Sequence, residues 1–249
     1  MIYLKIIFKL FKMAKLTLSS KSTDFTTYLN PPILLESDKN YEVAFISLMT
    51  FNSVPNITEV NNQFKYSTDK GSTWKIITLA KGAYELTNIH ATIQRELQIN
   101  GDDKDYISIN HLNFKAMLTI SHDDYMVDFG IENSIGSTLG FTNEQLSKGI
   151  HQSPNIIDIE KVNSIQIHCD IAVGNYLNGN KSNVIHTFTQ RVNPGYKIIE
   201  HPSPELIFLP IIKRPEIDKI KLWLTDQDNN PLDLMGERLT IVLLLRIKK

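Results

Sequence analysis

Tyr41-Glu-Val-Ala-Phe-Ile-Ser-Leu-Met-Thr-Phe51 and Leu239-Thr-Ile-Val-Leu-Leu-Leu-Arg-Ile247 are the stretches whose reading decides the fold. Both are long and nearly continuously apolar, which suits strands covered on both faces, in the centre of a sheet or beneath an inserted segment. Shorter β-type runs recur on either side of them, divided by Pro, Gly and Asn clusters. Before residue 150 these are Lys15–Ser19, Ile33–Leu35, Phe64–Ser67, Trp74–Leu79 and Ala116–Ser121. After it come Ser164–Ile171, Val184–Thr189, Ile207–Ile212 and Lys219–Thr225. Short strands at this spacing predict an all-β sandwich or barrel.

The middle third breaks the pattern. Leu86, Ile89, Ile93 and Leu97 fall on one helical face, Glu85, Gln94 and Glu96 lie elsewhere, and Thr87 stands near the cap. A second, short helix is expected from Thr142 to Ser147. Residues 13–249 therefore read as one β-sandwich domain with a helix-containing insertion at about 82–149. No repeat, low-complexity tract or Gly/Ser linker marks a clean boundary between two domains.

Composition narrows the function classes. In 249 residues, 42% hydrophobic and 21% charged, 26 Lys plus Arg stand against 27 Asp plus Glu, so no global field draws the molecule to nucleic acid or an anionic membrane. The single cysteine, Cys169, allows no internal disulfide and suits a reducing compartment. Residues 1–12 place Lys5, Lys9 and Lys12 on one helical face amid apolar residues. They read as a gene-model extension upstream of Met13 or as an arm that contacts partners. The stretch is too short to span a bilayer and lacks a signal-peptide cleavage site, so membrane contact and secretion are not expected.

The chemistry-bearing patterns are near misses. None of the seven histidines has helical metal-ligand spacing with another. His168 and Cys169 are strand neighbours whose side chains point to opposite faces, so Cys169 reads as a small buried hydrophobe. Gly174-Asn-Tyr-Leu-Asn-Gly-Asn-Lys-Ser182 resembles a phosphate loop, but Asn180 separates Gly179 from Lys181 and a strand follows, so it reads as a polar loop. Asp226, Asp228, Asn230 and Glu237 match calcium-loop positions, yet Pro231 replaces the turning glycine and the flanks are strand-like, so a β-hairpin with a polar tip is expected. Lys213, Arg214, Arg246, Lys248 and Lys249 are too dispersed to argue a nucleic-acid groove. No catalytic constellation, cofactor or metal is predicted.

The C-terminal hundred residues, from Ile157-Asp-Ile-Glu-Lys-Val through His168-Cys169-Asp170, Asn175-Tyr-Leu-Asn-Gly179, Pro194-Gly-Tyr-Lys-Ile-Ile-Glu200-His-Pro202, Phe208-Leu-Pro210, Asp226-Gln227 and Gly236-Glu237, form an ordered series of short motifs. Leu29-Asn-Pro-Pro-Ile-Leu-Leu35, Tyr41-Glu-Val-Ala-Phe45, Gly82-Ala-Tyr84 and Leu139-Gly-Phe141 precede it. Taken in this order, residues 14–249 resemble the minor capsid (penton-like) proteins of Polinton or Maverick elements and the related adintoviruses. Residues 1–12 have no counterpart in that resemblance.

The resemblance implies a jelly-roll sandwich that assembles as a homopentamer at the five-fold vertices of an icosahedral virion, beside a double jelly-roll major capsid protein. It implies a non-enzymatic structural protein, made in the host nucleus or cytoplasm. Cys169, Asp170, Gly179, Gly195, Glu200, Pro202, Asp226, Gln227, Gly236 and Glu237 carry over from it as structural residues that position turns and strand pairing. Loops around Asn175–Asn183 and Asp226–Asp233 are its candidate contact regions. A different class of protein also fits the residues: a β-sandwich ligand- or receptor-binding module, including a domesticated host protein, which would show an exposed aromatic cluster drawn from Trp74, Tyr176 and Trp223.

Overall fold

The computed structural model describes residues 13–248. Backbone contacts divide the chain into two compact units, one ending at Asn52 and resuming at Val162, the other formed by Ser53–Lys161. The first contains β1 (Met13–Ser20), β2 (Asp24–Leu34) and β3 (Tyr41–Phe51). The second contains β4 (Gln63–Ser67), β5 (Lys75–Thr78), α1 (Leu86–Ile99), β6 (Ile107–Leu112), β7 (Lys115–Ile120), β8 (Met126–Asp128), α2 (Gly136–Leu139), β9 (Gln145–Leu146) and β10 (Gly149–Gln152). The first unit then resumes with β11 (Ile165–Cys169), β12 (Asn175–Leu177), β13 (Asn180–Ser182) and β14 (Val184–Phe188). It closes with β15 (Lys197–Glu200), β16 (Phe208–Pro210), β17 (Glu216–Thr225) and β18 (Leu239–Ile247).

The first unit is a jelly roll. One sheet has the order β1-β18-β3-β15 with β16 also paired to β3, and the other has the order β14-β11-β17-β2. Lettered B to I along the chain, with β4–β10, the β12–β13 hairpin and β16 set aside, the sheets read BIDG and CHEF, the double Greek key in which every consecutive pair but β11–β14 is divided between the two sheets. β3 and β18 pair over almost their whole lengths, from Tyr41 opposite Ile247 to Met49 opposite Thr240. Nearly every β3 residue is buried, as continuous apolarity predicts for a strand with neighbours on both sides. Its one buried carboxylate, Glu42, accepts hydrogen bonds of 2.6 Å from Arg246, whose guanidinium lies 3.2 Å from the Phe208 ring centroid. Between the sheets, the His186 ring of β14 stacks on Phe45 of β3 at 4.4 Å and donates from Nε2 to Glu200 of β15 at 2.9 Å.

The second unit has its own core. Apolar side chains of β4 and β5 (Phe64, Tyr66, Ile77) pack with the buried face of α1 (Ile89, Ile93, Leu97) and with Ile107, Leu118 and Val127 of the strands beyond. Its sheets have the orders β5-β4-β8-β9 and β10-β7-β6. The helix forms where the apolar spacing placed it. Glu85 is its N-cap, and the backbone N–H of Glu85 donates to Asn88 Oδ1 at 3.1 Å, so Asn88 and not Thr87 closes the first turn.

Three expectations change. The inserted unit is wider than 82–149, because Phe64–Ser67 and Trp74–Leu79 bury their apolar residues against α1 and not in the sandwich. No helix forms over Thr142–Ser147: Gln145–Leu146 pairs with β8, and the short helix lies at Gly136–Leu139. β17 and β18 do not form a hairpin, since β17 pairs with β11 and β2 while β18 pairs with β1 and β3, so residues 226–238 cross from one sheet to the other.

Candidate interaction surfaces

The ten signature residues are spread over the jelly-roll unit. Cys169 is wholly buried in β11, and burial pushes its thiol up to about 12, which leaves it protonated and unreactive at neutral pH. Asp170 Oδ1 accepts from the Lys221 amide at 2.9 Å, extending the β11–β17 pairing by one residue. Asn178 and Gly179 both have positive φ, at 49° and 81°, and form the two-residue tip between β12 and β13. The segment that resembled a phosphate loop is therefore itself a hairpin, and Asn-Gly was the signal for it.

Gly195 has φ 83° and donates to the Asn52 carbonyl at 2.7 Å, at the foot of β15. Glu200 is the acceptor of the inter-sheet bond from His186, and Pro202 follows in the turn after β15. Asp226 Oδ1 accepts from the amides of Asp228 and Asn230 at 2.8 and 2.9 Å, and its Oδ2 accepts from Asn230 Nδ2 at 2.9 Å. That carboxylate is consumed in folding its own turn. Gln227 Oε1 accepts from the Asn163 amide at 3.0 Å. Gly236, at φ 76°, precedes Glu237, whose amide donates to the Leu234 carbonyl at 2.9 Å. Among the described residues no group of three His, Cys, Asp or Glu side chains is placed to hold a metal ion. Lys5, Lys9 and Lys12 lie outside the described residues.

The strand registers place the two candidate loops at opposite ends of the sandwich. Gln166 faces Thr225 and Cys169 faces Leu222, so β11 runs toward the start of β17 as it approaches the β12–β13 hairpin, while residues 226–233 leave the other end. Of the three candidate aromatics, Tyr176 is 67% exposed on the hairpin, Trp223 stacks on His168 at 4.9 Å, and Trp74 lies under Lys65 Nζ at 4.7 Å in the other unit. They form no shared patch within either unit.

Two exposed features have the character of contact surfaces. The first is the pair of sandwich flanks. β1 and β2 are edge strands of the two sheets on one flank, where Met13, Tyr28 and Leu34 are exposed. β14 and β15 are the edges on the other, with Tyr196 and Ile199 exposed beside β15. Lys15 on β1 and Pro31 and Pro32 in β2 are residues that blunt indiscriminate edge pairing. The second is a cleft of about 730 Å³ at the end of the sandwich where β2 gives way to β3. Leu35, Tyr41, Pro210 and Ile211 are among its apolar walls, and Lys39, Lys213, Arg214 and Lys248 are its cations. The chain order disperses these cations; the strand order, which brings the end of β2, the start of β3, the β16–β17 link and the end of β18 together, gathers them.

The fold so defined is a jelly roll of BIDG and CHEF sheets with a helix-containing unit inserted between its D and E strands. Among solved structures it is similar to the mavirus penton protein, at 16% identity and a TM-score of 0.50, over 95% of this chain and 100% of that chain. It is also similar to a chain in the cryo-EM structure of the Sputnik virophage, at 12% identity and a TM-score of 0.46, over 94% of this chain and 98% of that one. At these identities the first likeness shows a shared fold, the all-β jelly roll that the resemblance implied. The sequence matches no protein-family model and no curated protein.

Proposed function

We propose that this chain is a structural minor capsid protein, a penton-like subunit whose five copies close the five-fold vertices of an icosahedral particle of a Polinton-like virus or element. The observation that carries the reading is the common fold with the mavirus penton protein over practically the full length of both chains, inserted unit included. The ordered motif series along residues 14–249 supports it independently of the fold. In this reading the protein is not an enzyme, it is made in the host nucleus or cytoplasm and ends in the virion, and its neighbour in the shell is a double jelly-roll major capsid protein. The signature residues act structurally, by holding turns and strand ends, and residues 1–12 are either a gene-model extension upstream of Met13 or a partner-contacting arm.

A closed ring joins one face of each subunit to a different face of the next. The β1/β2 flank and the β14/β15 flank are unlike surfaces on opposite sides of one sandwich, each with exposed apolar side chains, and they are the faces we assign to that contact. The test is the solution mass of the full chain, and of the chain from Met13, over a concentration series. A species of about 140 kDa, five times the 28.5 kDa chain, is expected. Tyr28→Arg and Ile199→Arg are each expected to return it to monomer without changing the circular dichroism. A chain that stays monomeric at all concentrations, alone and with the major capsid protein added, would overturn the reading.

A further inference from the structure

The cleft at the β2–β3 end of the sandwich belongs to neither flank and has a charge unlike that of the molecule. Its lining carries four cations, Lys39, Lys213, Arg214 and Lys248, and one carboxylate, Glu36, a local balance of 4 − 1 = +3 in a chain whose net charge is −1. Among the described residues Lys213, Arg214 and Lys248 make no ion pair, and Lys39 has only the exposed Asp38 at 3.6 Å. Beneath them the walls are apolar: Leu35, Pro210, the buried Ile211, and Ile212, which stays 40% exposed. Unpaired cations over an apolar floor leave an occupant two things to supply, carboxylates at the rim and aliphatic side chains below.

We propose that this cleft docks a carboxylate-rich peptide segment of a partner protein, its acidic side chains meeting Lys213, Arg214 and Lys248 and its apolar ones the Leu35–Ile211 floor. Charge complementarity selects that chemistry. The volume is that of a site for a few side chains, within the usual range of ligand pockets. Nucleic acid fits less well: the one aromatic in the lining, Tyr41, is buried with its hydroxyl accepting from the Glu36 amide at 3.1 Å, so no ring is offered for base stacking, and four cations give a small counterion-release term. Residues 1–12 of this chain have three lysines and no carboxylate, so they repel the site.

The probe is a short fluorescent peptide of repeated Glu-Glu-Leu, read by anisotropy against the full chain, with the Gln-Gln-Leu peptide and an oligothymidylate of equal length as comparators. Saturable binding of the acidic peptide, about tenfold or more tighter than the neutral one and weakened by added salt, is expected. The double substitution Lys213→Glu with Arg214→Glu should lower that affinity at least about tenfold, while Lys21→Glu with Lys197→Glu, away from the cleft, should leave it unchanged. Should the half-buried Arg214 prove necessary for folding, Lys39→Glu with Lys248→Glu replaces the first pair. Equal binding of both peptides, indifference to the cleft substitutions, or tighter binding of the oligonucleotide would overturn the proposal. So would a changed solution mass in the cleft variants without peptide binding, which would mean that a second copy covers the site. Peptide binding is read on the chain in any oligomeric state, so its failure is distinguishable from failure of the shell reading.

Discussion

Two glycines show how the same residue type serves different needs. Gly179 and Gly140 have almost the same φ, 81° and 82°. A methyl group on Gly179 would stand in open space, whereas one on Gly140 would press on the carbonyl oxygens of Asn155 and Ile156. Gly179→Ala therefore costs the left-handed penalty alone, about 1–2 kcal/mol, and Gly140→Ala adds a backbone clash to it. Chemical denaturation should show the second variant clearly less stable than the first. Reading the sequence marked both glycines through their motifs, Gly140 in Leu139-Gly-Phe141; nothing local showed that Gly140 is crowded, because the atoms that crowd it come from residues fifteen and sixteen positions on.

Three aspartates make acid stability a property of turns. In Asp128 burial pushes the carboxyl up, but hydrogen bonds from Lys65 and the Gly130 amide, the Lys65 charge and Gln145 outweigh it and hold the group below the usual range. Asp226 is likewise raised by burial and lowered further by Asn230 and the Asp228 amide. Asp69 is brought down to about 2 by the Thr73 hydroxyl and amide and by Ser67. A folded value below the unfolded one contributes stability that is complete above the unfolded value and is lost as pH falls through the folded value. The melting temperature should thus drop between about pH 4 and pH 2. Asp128→Asn should be less stable than wild type at neutral pH and should lose less over that acid window, as a pH series of thermal melts will show.

At the scale of elements, amphipathic spacing was a sufficient guide to α1 and continuous apolarity to β3 and β18. Ile93 is fully buried on the helix, while Ile99 at its end is 68% exposed. Ile93→Ala is expected to destabilise the inserted unit by about 2–5 kcal/mol, and Ile99→Ala by no more than about 0.5 kcal/mol, both measurable by urea titration with a probe in residues 53–161. Elements that lacked a period were harder to see. β8, β9 and β10 have three, two and four residues, too few for alternation to register, and they exist because neighbouring strands supply their hydrogen bonds. Gln145–Leu146 has the composition of a helical turn, and pairing with β8 overrides that propensity.

For the whole molecule, the inserted unit is the feature with the clearest consequence. Among the described residues, its buried cluster lies between Ile57 and Leu146, with Tyr84, Leu86, Tyr106, Ile157 and Ile159 packed at its margin. A unit with a buried core of its own should fold alone. The excised segment 53–161 is expected to give a cooperative thermal transition and dispersed amide NMR signals; a broad, non-cooperative melt would show that the jelly-roll unit is needed to complete it.

The sequence by itself determined that the protein is β-rich, that Tyr41–Phe51 and Leu239–Ile247 lie at its centre, that a helix interrupts the middle third, and that Cys169 is a buried, unreactive group. These are consequences of side-chain period and hydrophobicity, which act over a few residues and can be read there. Tertiary structure alone decided which sheet each strand joins, and with it the separation of β17 from β18, the assignment of β4 and β5 to the inserted unit, and the convergence of Lys39, Lys213, Arg214 and Lys248 on one cleft. Strand alternation is the same whichever neighbour a strand pairs with, and this jelly roll divides its consecutive strands between two sheets at every step but β11–β14, so partners and clusters of this kind arise from contacts between residues far apart in the chain.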